Sequence, residues 1–126
     1  MRAGAQAVKL EGAEGNLDLI QHLVASGIPI MGHLGLTPQS IHQIGGFKVQ
    51  AKTNKEQERL VNDAKALEKA GCFALVLECV PRKLAAQVSK NLSIPTIGIG
   101  AGADTDGQVL VWQDLLGMNP QFNPKF

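Results

Sequence analysis

The sequence predicts an α/β protein built on a parallel sheet, and three observations carry that reading. Short aliphatic runs closed by proline or glycine recur along the chain, Leu75-Val76-Leu77-Glu78-Cys79-Val80-Pro81 being the clearest. Runs of this length and composition read as strands buried on both faces of a parallel sheet. Segments with helical periodicity separate them, which is the β-α-β order. Polar residues capable of chemistry stand at the ends of the runs, where α/β proteins bind ligands.

The elements follow in order. Ala7–Gly12 alternates as a strand, so Lys9 and Glu11 share one face while Val8 and Leu10 share the other. Two opposite charges so placed form either a surface pair or part of a lined cavity. Apolar residues at 17, 19, 20, 23 and 24 make Asn16–Ser26 an amphipathic helix stopped by Gly27. Pro29 can start a strand but not sit inside one, so the next strand is Ile30–His33. His33 stands at its C-terminal end, as either a satisfied core histidine or a functional one.

Leu36–Asn54 lacks periodicity and contains Thr37-Pro38 and Gly45-Gly46. A connection of this length is usually functional or mobile. Phe47, Lys48 and Gln50 either close over a ligand or belong to a plain surface loop. Lys55–Ala70 carries Leu60, Val61, Ala64, Leu67 and Ala70 on one stripe, a helix with Gly71 as its stop.

The Glu78 strand comes next. A carboxylate after four aliphatic residues is costly unless paired, metal-bound or protonated. It is either a structural ion pair or a general base whose pKa burial has raised. Pro81–Leu92 is a helix with proline in its first turn. Ile94–Gly102 is a strand with a glycine-rich exit that could hold an anion, although the spacing is not a complete dinucleotide fingerprint. Gly107–Trp112 reads as a last strand, Asp114–Gly117 as a short helix or turn, and Asn119–Phe126 as loop.

Composition excludes several classes. The 126 residues, 44% hydrophobic, suit one domain spanning 1–126. A net charge of +1 with 4% aromatic residues makes no electrostatic case for nucleic acid. No apolar run is long enough for a membrane span, and the N-terminus lacks a signal-peptide core. Cys72 and Cys79 are too few for a disulfide framework. Buried reduced thiols fit a cytoplasmic protein.

Five strands result, four of them linked by helices. The polar or small residues Lys9, Glu11, His33, Glu78, Gly98 and Gly100 are assigned to one side and the aliphatic residues to the other, as in a (β/α) barrel. A closed barrel needs eight strands and about 250 residues, and this chain has about half that.

The blocks Val8–Gly12, Gly32–Ser40, Gly45–Gln50, Leu75–Pro81, Ile97–Gly102 and Asp106–Val111 occur in one order, and the match they carry covers almost the whole chain. In that order they closely resemble the 3-methyl-2-oxobutanoate (ketopantoate) hydroxymethyltransferases. The resemblance implies the C-terminal part of a TIM-type (β/α)8 barrel of the phosphoenolpyruvate/pyruvate superfamily, about strands 4–8. The first three strands and the last helices would be lacking. It also implies hydroxymethyl transfer from 5,10-methylenetetrahydrofolate to 3-methyl-2-oxobutanoate, giving 2-dehydropantoate for pantothenate biosynthesis, with Mg2+ stabilising an enolate.

Carried over by motif, Glu78 is the catalytic proton acceptor, Lys9 and His33 bind the oxoacid, and Glu11 belongs to the metal site. Two aspartates and a serine of the family pattern have no counterpart. The expectation is therefore a truncated or split chain with impaired activity, acting as a homo-oligomer or with a complementing barrel half. The alternatives are a non-catalytic remnant, or another oxoacid lyase-type barrel enzyme.

Overall fold

The computed structural model describes residues 4–44, 46, 48–118 and 120–121. Strands β1 (Val8–Glu11), β2 (Ile30–Gly35), β3 (Ala74–Glu78), β4 (Thr96–Ile99) and β5 (Gly107–Gln108) form one sheet in the order β1-β2-β3-β4-β5. All four pairings are parallel. Helices α1 (Leu17–Ala25), α3 (Asn54–Lys69) and α4 (Arg82–Asn91) connect the first four strands, with the short α2 (Ile41–Ile44) ahead of α3 and α5 (Trp112–Leu115) after β5. Spatial order equals chain order, so the sheet has no switch point. Successive right-handed crossovers then place the connecting helices on one face.

That face holds the core. Ile30 and Leu34 of β2 and Leu75 and Leu77 of β3 are buried with Ile20 of α1, Leu60, Ala64 and Leu67 of α3, and Leu84, Ala85 and Val88 of α4. Each fully buried leucine or isoleucine contributes about 1.5–3 kcal/mol. Helix α3 starts on a capping box. The Thr53 hydroxyl accepts the Glu56 N–H at 3.3 Å and the Glu56 carboxylate accepts the Thr53 N–H at 2.9 Å. Those bonds hold the Glu56 carboxyl below its usual range.

The expected helices and strands are present within a few residues of their anticipated bounds. Between Leu36 and Asn54, however, a 3-10 turn (Pro38–Ser40) and α2 replace part of the anticipated loop. Phe47 lies outside the described residues, as do Asn119 and 122–126 of the expected tail. The last strand is shorter than expected. Only Gly107 and Gln108 pair with β4, and Trp112, expected in the strand, begins α5.

A second correction concerns β4. Residues paired across neighbouring strands share a face, and Val76 pairs with Ile97 and Glu78 with Ile99. Ile97 and Ile99 therefore join Glu78, while Gly98 pairs with Leu77 on the helix-covered face. A Cβ at Gly98 would meet the Thr105 hydroxyl at 2.6 Å. The space left by that glycine is filled by the following loop and does not open toward Glu78. Both cysteines are free, Cys72 buried as expected and Cys79 only partly so. Burial raises the pKa of each thiol, and the Glu78 charge adds to the effect at Cys79.

Candidate active site

The uncovered face carries Lys9 and Glu11 from β1, His33 from β2 and Glu78 from β3, a placement the register imposes. Glu11 pairs with His33, and Gly35, two residues beyond His33, pairs with Glu78. The four polar side chains therefore gather at one rim, at the C-terminal ends of three adjacent strands.

His33 is the hub. Its side chain is only 1% exposed. Its Nδ1 lies 3.1 Å from Lys9 Nζ and 3.6 Å from Glu11 Oε1. Its Nε2 lies 3.2 Å from Glu78 Oε2, off the ring N–H direction, and makes no hydrogen bond among the described residues. Lys9 Nζ is 3.6 Å from Glu11 Oε1. Lys9 is 44% exposed and Glu78 18%, whereas Glu11 is 8% exposed. The lysine and Glu78 thus remain accessible at the rim while the histidine between them is sealed.

Neighbouring loops fix these groups. The Gln39 backbone N–H donates to Glu11 Oε2 at 3.0 Å, and the Asn16 side-chain amide donates to the Glu11 carbonyl at 3.0 Å. The Leu36 N–H donates to the Glu78 carbonyl at 2.8 Å. The next residue, Cys79, has a left-handed backbone (φ +49°). It donates its N–H to Ile99 and accepts from the Gln50 N–H, both at 2.8 Å. Gln50 belongs to the stretch that sequence reasoning left open between lid and surface loop. Its backbone straps that stretch to the rim, while Lys48 is exposed.

Gly35 makes the closest approach. At φ +93°, an added Cβ would lie 2.1 Å from the Glu78 carbonyl oxygen. Only glycine combines that conformation with that contact. Sequence reasoning did not single out Gly35, although a glycine directly after a strand-end histidine is a usable signal for close backbone approach. It also missed the Gln39 contact, which depends on a turn folding over the end of β1.

A cavity of about 320 Å³ adjoins the rim, lined by Gly12, Gly35, Thr37, Gln50, Arg59 and Asp63 among others. Burial holds the Asp63 carboxyl above its usual range. No group of three His, Cys, Asp or Glu side chains that could hold a metal occurs among the described residues. Among the described residues no helix is long and apolar enough to cross a membrane.

Residues 1–126 match the family model described as ketopantoate hydroxymethyltransferase. Among curated relatives, the 3-methyl-2-oxobutanoate hydroxymethyltransferase of Francisella tularensis subsp. holarctica (strain OSU18) is 60% identical over 126 residues. That of Bdellovibrio bacteriovorus is 64% identical over 126 residues, and that of Legionella pneumophila (strain Corby) 62% over 127. Each alignment takes in 100% of this chain and 48% of the relative, so the chain spans about half the length of the proteins it matches. The chain belongs to the ketopantoate hydroxymethyltransferase family.

Proposed function

We propose that this chain contributes the proton-abstracting part of a site that transfers a hydroxymethyl group from 5,10-methylenetetrahydrofolate to 3-methyl-2-oxobutanoate. The product is 2-dehydropantoate, and the setting is cytoplasmic pantothenate biosynthesis. The observation that carries the reading is Glu78, an accessible carboxylate at a strand end, in one cluster with Lys9 and His33. Glu78 takes the C3 proton of the oxoacid, and the C–H electron pair moves into the C2 carbonyl to give the enolate. The enolate carbon attacks the methylene carbon of the folate as one C–N bond breaks. Water then displaces the other nitrogen, supplying the hydroxyl oxygen. Tetrahydrofolate leaves, its two nitrogens taking up the proton held by Glu78 and one from water.

Lys9 reaches the substrate side of the rim and offsets the oxoacid's negative charge. His33 closes the floor of the pocket behind it. Glu11 is the side chain here suited to a Mg2+ site, as one contributor only. Magnesium takes near-octahedral oxygen coordination. Glu11 Oε2 already accepts the Gln39 N–H, and the described residues complete no such site.

The outer edge of β1 has no strand partner among the described residues. In this reading the five strands are about strands 4–8 of the (β/α)8 barrel. The remaining strands and metal ligands pair beyond that edge, from further chain or from a partner subunit, within a homo-oligomer.

The test is loss of the C3 proton signal of 3-methyl-2-oxobutanoate in D2O, followed by NMR. The sample is this chain co-expressed with the part of the Francisella relative to which it does not align. Glu78→Gln is expected to lower the exchange rate by about 10² or more while oxoacid binding persists. Exchange at the wild-type rate would exclude Glu78 as the base.

A further inference from the structure

The buried histidine is where the geometry exceeds what the reaction scheme uses. His33 is 1% exposed, so its ring cannot reach far toward a ligand, yet both ring nitrogens face charged groups. An ammonium has only donors. At 3.1 Å the Lys9 ammonium therefore requires His33 Nδ1 to accept, whereas Glu11 Oε1 at 3.6 Å is too distant to draw a proton onto that nitrogen. The neutral ring then carries its one proton on Nε2.

That N–H is buried, has no hydrogen-bond partner among the described residues, and lies 3.2 Å from Glu78 Oε2 without alignment. Buried donors are rarely left unpaired. The last torsion of a glutamate is soft, so the carboxylate is free to turn toward that N–H. Hydrogen bonds of this kind tighten when substrate binds.

We propose that His33 is a positioning residue: Lys9 fixes its Nε2–H tautomer, and that N–H orients the Glu78 carboxylate toward the proton it removes. The inference rests on Glu78 being the base, and it gives Lys9 a second role through the ring. Nothing passes between His33 and the substrate.

Ring 15N–1H correlation spectra of the full chain labelled at its three histidines test the first half. His33→Gln identifies the His33 signals by their loss. The expected pattern is a neutral ring protonated at Nε2, and Lys9→Met is expected to remove that preference. A ring protonated at Nδ1, at both nitrogens, or averaged between tautomers in the unsubstituted chain would overturn the proposal.

C3 exchange in the co-expressed complex tests the second half. His33→Ala is expected to lower kcat tenfold or more with KM changed less than twofold. His33→Gln, whose amide N–H reaches toward the Nε2 position, should recover part of the loss. A raised KM with kcat retained would make His33 a substrate contact and sink the proposal. Glu78→Gln separates the two readings. If it keeps exchange, the base assignment fails and the orienting role falls with it. If it loses exchange while His33→Ala keeps kcat, only the orienting role fails.

Discussion

In β2, Ile30, Gly32 and Leu34 face the helices, and a Cβ on Gly32 would touch Leu67 and Leu75 at 3.1 Å. One residue along in each case, Met31, His33 and Gly35 face the other way, and His33 meets Lys9, Glu11 and Glu78. The same six residues thus serve two kinds of physics. On the helix side the contacts are non-directional, and burial of apolar area supplies the stability. On the open side each polar atom is placed by a particular partner, and the cost of error falls on chemistry before it falls on folding.

The largest expected effect tests the helix side. Leu75 is fully buried among Leu67, Cys72 and Leu77 in one cluster. Leu75→Ala should cost about 3 kcal/mol, read as a lowered urea midpoint with unchanged slope. A loss under about 1 kcal/mol would mean that the core re-forms around the gap, and the division between the faces would be weaker than drawn.

The alternation that divides the faces was legible in β1, where Lys9 and Glu11 simply alternate with Val8 and Leu10. In β4 it was misread. Gly98 is expected beside Glu78 as one of the small or polar residues, but a face is set by register, and register pairs Glu78 with Ile99. Which groups His33 would meet was likewise hidden, since that depends on β2 lying between β1 and β3. The carboxylate, lysine and histidine themselves stood out because strand ends collect polar residues. Their backbone clamps at Leu36, Gln39 and Gln50 left no mark, since any residue but proline can supply an N–H.

A substitution at the end of β2 bears on both faces at once. Gly35→Ala puts a methyl group 2.1 Å from the Glu78 carbonyl oxygen and 2.7 Å from Val80 Cγ1, at a left-handed φ. The Glu78 backbone must move, with a stability loss of about 2 kcal/mol. Because the shift reaches the carboxylate, C3 exchange in the co-expressed complex should fall well beyond what unfolding explains under conditions where the chain stays folded. If stability drops while exchange per folded molecule holds, the rim tolerates backbone movement that the helix side would not.

The smallest effect is confined to the β4–β5 end, away from the rim. Asp106 Oδ2 accepts the Thr96 backbone N–H and hydroxyl, both at 2.8 Å. The Thr96 hydroxyl also meets Ser89 Oγ of α4 at 2.7 Å. The backbone bond first, then the hydroxyl, holds the Asp106 carboxyl below its ordinary value of 3.8. A carboxylate with a lowered folded pKa stabilises the fold above the unfolded value, and that contribution fades as pH falls through the folded one. Asp106→Asn can still accept both bonds but lacks the charge. Urea midpoints of the two proteins should therefore differ at pH 7 and converge as pH falls below about 4. A difference that stays constant down to pH 2 would mean that Asp106 acts through packing alone. The polar network on this end would then be no more charge-dependent than the leucines beside it.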